Sequence, residues 1–272
     1  MTKIGVFDSG YGGLTILNAI RRQLPQYDYL YLGDNARAPY GTRSFEVIYE
    51  YTLQAVQWLF SHGCRLVIIA CNTASAKALR TIQMHDIDPS IQRVLGVIRP
   101  TVEAVPSITR NGHVGIVATP GTVASNSYPL ELAKLATSLP LHISQQACPM
   151  WVPLIESGEF RESGADYFVH KYIDELLSQD ALIDTLILGC THYPLLKDKI
   201  DAALSGRAVR TIAQGDIVAS SLSDYLHRHA DIAAVLSTGG TCEYVTTESP
   251  DKFNSSATLF LQEPIAAHHI DW

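Results

Sequence analysis

LILGCTHYPLL, residues 186–196, joins an apolar run directly to a cysteine, a hydroxyl and a histidine. A short continuous apolar run reads as a strand buried on both faces, which predicts a parallel sheet with Gly189-Cys190-Thr191-His192 as the turn at the strand's carboxyl end. Open α/β sheets bind ligands at that end. The device recurs at LVIIACNTAS, residues 66–75, where an apolar run, a small residue, a cysteine and a polar pair open a helix. Two thiols, Cys71 and Cys190, 119 residues apart, are therefore each expected at a strand-to-helix turn.

The flanking segments extend the alternation. KIGVFDSG predicts a strand over about 3–8, followed through Asp8-Ser9-Gly10-Tyr11-Gly12-Gly13 by an amphipathic helix with Leu14, Ile16, Leu17 and Ile20 on its apolar face. Such a glycine-rich turn can offer backbone N–H groups to an anion. It is not a dinucleotide fingerprint, because Thr15 stands at the third glycine position, and it lacks a phosphate-loop lysine. A second strand over 27–34 ends at Asp34, and the loop beyond it carries Pro39-Tyr40-Gly41. A helix over about 44–62 precedes the Cys71 strand; residues 93–105 predict a fourth strand and a turn at Arg99-Pro100.

HVGIVATPGTV, from residue 113, restarts the pattern, with Gly115 echoing Gly5 and the Ala118–Thr122 turn echoing that at Asp8. A strand at LHISQQACP, a short helix carrying Glu156, a longer helix and the Cys190 strand follow. The series Gly5 to Cys71 and Gly115 to Cys190, offset by 110 and 119 residues, read as diverged copies of one α/β unit. Beyond Leu196 the pattern predicts a helix near 194–205, a strand near 208–213, a helix near 217–228, a strand at TCEYVTTES and a helix at PDKFNSSATLFL; the tail AAHHIDW carries no clear period.

Composition bounds the chemistry. With 272 residues, 47% of them hydrophobic and 17% charged, the chain can bury a large core as one or two globular domains. A net charge of −7 argues against a general nucleic-acid surface. No apolar run reaches the ~18 residues of a membrane span, and Asp8 interrupts any secretory h-region, so the chain reads as cytoplasmic. Five cysteines without CxxC spacing fit reduced thiols. Cys64, Cys148 and Cys242 read as small buried hydrophobes.

Two thiols facing each other across a cleft can remove a proton from one face of a carbon acid and return one to the other, which is racemisation by two bases. Asp8 and His192 are placed to shift or relay protons at those thiols, and Ser9, Asn72, Thr73, Thr119, Thr122 and Thr191 could hydrogen-bond a carboxylate and an ammonium. No arginine or lysine lies immediately beside either cysteine turn, leaving helix N-termini as the main anion binders.

Six motifs, FDSGYGGLT, GDNARAPYG, ACNTASA, GVIRP, VPLIESGE and LGCTHYPLL, resemble in order those of glutamate racemase, a cofactor-independent isomerase supplying D-glutamate for bacterial peptidoglycan and hence for cell wall and cell shape. The resemblance implies that Cys71 deprotonates D-glutamate and Cys190 deprotonates L-glutamate. It implies assistance from Asp8 and His192, with Glu156 orienting His192 and Asp34 nearby. Ser9, Asn72, Thr73 and Thr191 would hold the amino-acid head, and Tyr40 and Gly41, through their backbone, the side-chain carboxylate. Two similar α/β domains are implied, each a mainly parallel sheet flanked by helices, residues 1–97 plus 211–272 and residues 98–210, with the active site between them. A homodimer is implied as well, with no cofactor and no metal.

The sequence departs from the family pattern at Tyr11, Asn35 and Arg99, expected at the rim, and over the stretch Ile212-Ala213-Gln214-Gly215-Asp216, which differs from the Asp-Ser-Gly common there. Because the first strand comes at once, control through an N-terminal extension that binds a peptidoglycan precursor is not expected. An aspartate or broader acidic amino-acid racemase would share the paired cysteines, and a non-catalytic binding protein with a partner such as a topoisomerase would share the scaffold. A zinc site of Cys71, Cys190 and His192 would need a fourth ligand such as Cys148 or Asp8.

Overall fold

The computed structural model describes residues 2–135 and 139–272. Strand β1 (Ile4–Asp8) feeds α1 (Gly13–Gln23), β2 (Tyr29–Gly33) feeds the Tyr40 loop and α2 (Phe45–Ser61), and β3 (Leu66–Ile69) stops just short of Cys71. Helices α3 (Asn72–Lys77) and α4 (Leu79–His85) lead to β4 (Arg93–Gly96) and α5 (Ile98–Ala104). The second series runs β5 (His113–Ala118), α6 (Pro120–Ala124), α7 (Ser127–Leu132), β6 (His142–Ala147), α8 (Trp151–Glu156), α9 (Ser163–Gln179) and β7 (Thr185–Gly189), which ends at Cys190. Then come α10 (Lys197–Ala203), β8 (Arg210–Ile212), α11 (Gly215–Arg228), α12 (Ala230–Ala233), β9 (Cys242–Thr246), α13 (Pro250–Leu261) and β10 (Ala267–His269).

These strands form a six-stranded sheet, β10-β9-β2-β1-β3-β4, and a four-stranded sheet, β6-β5-β7-β8. Every pairing between them is parallel. Strands β1, β2, β3 and β7 are buried along their whole length, which is why their sequences are continuous apolar runs and not alternating ones. The order β2-β1-β3-β4 recurs as β6-β5-β7-β8, so the repeat read from the sequence is a repeat of topology. In each copy the cysteine follows the third strand of the series, beside the first, where the winding direction reverses and the crevice for a ligand opens.

Burial of one helical stripe fixes α1 on the first sheet. Leu14, Ile16, Leu17 and Ile20 are each at most 1% exposed, and burying a side chain of that size stabilises by about 1.5–3 kcal/mol.

Two expectations need revising, and one unassigned segment gains a structure. Arg99 and Pro100 lie inside the first turn of α5 and form no separate turn; proline is tolerated there because the N–H it lacks would have no helical partner. The unassigned tail contributes β10, which pairs with β9 at the sheet edge. Leu196 lies in a 3-10 turn, Tyr193–Leu196, that precedes α10. Strand β8, beside the expected boundary near residue 210, pairs its Thr211 and Ile212 with Leu186 and Ile187 of β7. Among the described residues no helix is long and apolar enough to cross a membrane.

Candidate active site

The two cysteine turns converge on one cavity of about 90 Å³, lined among others by Ser9, Tyr40, Gly41, Cys71, Asn72, Thr73, Glu156, Cys190, Thr191 and His192. The convergence depends on a close approach at Gly12. A β-carbon there would come within 2.3 Å of Thr191 Oγ1 and 2.4 Å of His192 Nδ1, so no other residue lets the first glycine-rich turn lie against the Cys190 turn. Thr15 fastens the same seam by donating its hydroxyl to the Thr191 carbonyl at 3.0 Å. The glycine-rich turn thus makes room for a histidine, and one of its N–H groups, that of Gly10, is already donated to Asp8 Oδ2 at 3.0 Å.

At the second turn, Cys190 Sγ lies 3.8 Å from His192 Nδ1. The other ring nitrogen, Nε2, lies 3.0 Å from Glu156 Oε1. Burial alone would lower the His192 pKa, but the hydrogen bonds and charges of Cys190 and Glu156 outweigh it and hold the pKa up to about 10. The ring thus spans the two, one nitrogen toward the Cys190 sulfur and the other toward the Glu156 carboxylate.

At the first turn, Cys71 is the N-cap of α3 and accepts a 3.4 Å hydrogen bond from the Ala74 N–H. Ser9 Oγ lies 3.5 Å from its sulfur. Burial, and then the charge of Asp8, push the Cys71 thiol up to about 12, against the opposing pull of those hydrogen bonds. The hydrogen bond from the first turn of α3 lowers it but loses to desolvation. Asp8 is itself raised by burial, an effect restrained by the positive charge of His192, and its Oδ1 accepts no hydrogen bond among the described residues. Only Cys71 caps an α-helix; Cys190 is followed by the 3-10 turn.

The wall opposite is built from the β2 loop. Tyr40 donates its hydroxyl to Asp34 Oδ2, and Arg37 Nε donates to the same oxygen at 2.6 Å. The other oxygen accepts from Thr247 Oγ1 at 2.9 Å and from Trp272 Nε1 at 3.2 Å. The Arg37 guanidinium lies over the Tyr51 and Trp272 rings, 4.0 and 4.2 Å from their centroids. Gly41 meets the second unit, its carbonyl accepting the Gly121 N–H at 2.8 Å. A β-carbon on Gly41 would lie 2.9 Å from Thr119 Cβ. Thr73 and Thr119 hydroxyls touch at 2.9 Å, closing that end.

Of the residues singled out in the sequence, Asp8, Asp34 and Thr122 lie behind the cavity lining, and Thr119 belongs to it. Tyr11 stacks on Phe253 and Phe260, Asn35 bonds Thr246, and Arg99 pairs with Glu103, so none of the three departures lines the cavity. Cys148, Pro149, Val152 and Pro153 do line it, although Cys148 had read as plain core. The available signal was helical period: Val152 and Glu156 stand four apart on α8 and face the same way. Among the described residues no three His, Cys, Asp or Glu side chains form a metal-binding group.

Two thiols lining one cavity at the reversal points of two like-wound parallel sheets are the equipment of an amino-acid racemase. Residues 5–222 match the family Asp/Glu/Hydantoin racemase. The chain is 43% identical to the glutamate racemase of Ruegeria sp. (strain TM1040), over 96% of this chain and 97% of that one. It superposes on glutamate racemase isoform RacE1 of Bacillus anthracis with a TM-score of 0.89 and 36% identity, covering 99% of this chain and 97% of that one. With the Francisella tularensis glutamate racemase solved in complex with D-glutamate, the TM-score is 0.86 and the identity 32%, over 99% and 97% of the two chains. The chain belongs to the Asp/Glu/Hydantoin racemase family and, within it, to the glutamate racemases.

Proposed function

We propose that this chain interconverts L- and D-glutamate by proton transfer at Cα between Cys71 and Cys190. The observation that carries the reading is that both cysteines, 6% and 7% exposed, line the same small cavity from turns of different sheets. In the D-to-L direction the Cys71 thiolate takes the Cα proton and becomes a thiol, while the Cys190 thiol gives its proton to the opposite face and becomes a thiolate. The L-to-D direction exchanges the roles. No atoms are gained or lost, and the two sulfurs end with their protonation interchanged.

His192, hydrogen-bonded to Cys190 and Glu156, exchanges protons with Cys190, and Asp8 does the corresponding work beside Cys71. Glu156 orients the ring. Ser9, Asn72, Thr73 and Thr191 bind the amino-acid head, and the backbone of Tyr40 and Gly41 binds the side-chain carboxylate. Hydroxyls, an amide and backbone groups do this in a lining that contains no lysine or arginine. The enzyme works in the cytoplasm as a homodimer of two-domain subunits, 1–97 plus 211–272 and 98–210, and its D-glutamate goes to peptidoglycan.

The test is proton NMR of the reduced protein in deuterium oxide with L-glutamate, D-glutamate and L-aspartate in turn. Loss of the Cα–H signal with decay of optical rotation for both glutamate enantiomers, and not for aspartate, supports the reading. Exchange of aspartate would move the specificity to a broader acidic racemase. No exchange of any of them would overturn catalysis and leave a binding protein.

A further inference from the structure

Gln214 was noticed in the sequence only as a departure, yet it is 2% exposed and joins three helices of the cavity's surroundings. Its Nε2 lies 2.8 Å from Thr101 Oγ1, 2.9 Å from Tyr128 Oη and 3.3 Å from the Val97 carbonyl. Its Oε1 lies 2.6 Å from Asn72 Nδ2. Tyr128 Oη completes the circuit, 2.7 Å from Asn72 Oδ1. Asn72 opens α3, directly after Cys71, and lines the cavity. Tyr128, on α7, is fully buried.

The direction of every bond follows from one acceptor that cannot donate. The Val97 carbonyl takes the Thr101 hydroxyl proton at 2.8 Å, which leaves Thr101 Oγ1 as an acceptor toward Gln214. The NH2 end of Gln214 must therefore face Thr101 and Val97, and its oxygen must face Asn72. Asn72 must then offer Nδ2 to that oxygen and Oδ1 to Tyr128, which donates. Asn72, Gln214 and Tyr128 form a ring of three hydrogen bonds running in one sense. Turning the Asn72 amide over would set oxygen against oxygen at Gln214 and leave buried groups unpaired.

We propose that Gln214 is a positioning residue for the racemase reaction: with Tyr128 it fixes the orientation of the Asn72 amide toward the amino-acid head of the substrate. An asparagine amide has two N–H groups and two carbonyl lone pairs. The ring uses one of each, so one N–H remains to give to a carboxylate and one lone pair to receive from an ammonium, at fixed places in the cavity wall. This rests on the assignment of Asn72 to the substrate head.

The experiment measures KM and kcat for both glutamate enantiomers, with Tm alongside, in Asn72→Ala, Gln214→Leu, Tyr128→Phe and the doubles that combine each of the last two with Asn72→Ala. Tyr128→Phe keeps the ring's packing, so it tests the network even if Gln214→Leu folds poorly. Gln214→Leu and Tyr128→Phe are each expected to raise KM roughly tenfold while kcat stays within about threefold. Neither should raise KM further once Asn72 is alanine. A fall in Tm with KM unchanged, or KM effects that add to that of Asn72→Ala, would overturn the proposal while leaving Asn72 in its role. If Asn72→Ala itself leaves KM unchanged, the assignment of Asn72 falls, and the proposal with it.

Discussion

The two thiols occupy the same place in two copies of one topology, and almost nothing around them is the same. Cys190 looks onto an imidazole whose far nitrogen is tied to Glu156. Cys71 has a serine hydroxyl, one backbone N–H and a buried carboxylate whose charge works against its ionisation. Equivalent position in the fold therefore decides where each thiol stands, and the local neighbours decide what it meets there. On one side the neighbours hold the pKa of a buried histidine up, and on the other burial pushes up the pKa of the thiol itself.

The largest effect should come from the sulfurs themselves. Cys71→Ser and Cys190→Ser are each expected to lower kcat/KM by roughly 10²- to 10⁴-fold in both directions, as followed by circular dichroism of each enantiomer. If one of them retains more than a tenth of the activity, the two sites are not partners. Next comes the relay. Glu156→Gln removes a charge-assisted hydrogen bond of about 1.5–3 kcal/mol, or roughly 10- to 100-fold. It should also move the alkaline limb of the rate profile to lower pH, because it withdraws part of what holds His192 up to about 10. A limb that stays in place would show that His192 is not the group being titrated.

Stability carries the same signature. The folded pKa of His192 is raised from 6.5 to about 10, so its contribution is complete below pH 6.5 and disappears as pH rises through 10. The Tm gap between the protein and His192→Asn should therefore narrow over that window. Ser9→Ala, on the quieter side, should reduce turnover only about 2- to 10-fold, the worth of one neutral hydrogen bond, with no shift of the alkaline limb. Smallest is Trp272→Phe. It keeps an aromatic ring over Arg37 but loses the donor to Asp34, whose Oδ1 still has Thr247; KM should change by no more than about twofold.

The alternation of buried runs and amphipathic helices made both sheets legible, because parallel strands covered on both faces leave an unbroken apolar signature. The cysteine turns were legible for the same reason, since a run that ends abruptly in Cys-Thr-His or Cys-Asn-Thr marks its own carboxyl end. Contacts made only by folding were hidden. Nothing near Gln214 in the chain points to Asn72, which lies 142 residues away. The tail strand was invisible because three residues at a sheet edge have no period to read. Arg99-Pro100 misled because a proline that opens a helix and one that makes a turn look alike without the residues that follow in space.

The pairing of β2 with β9 has a consequence for how the molecule is made. Tyr29 to Gly33 find their outer neighbour in Cys242 to Thr246, more than two hundred residues further along the chain. During synthesis the second sheet can assemble while the first still shows an open, wholly apolar strand edge to its surroundings. The segment that covers this edge also brings Thr247 to Asp34, behind Tyr40. A nascent chain thus completes the wall of this cavity in the same step that covers the β2 edge, and it can do so only after more than two hundred further residues are made.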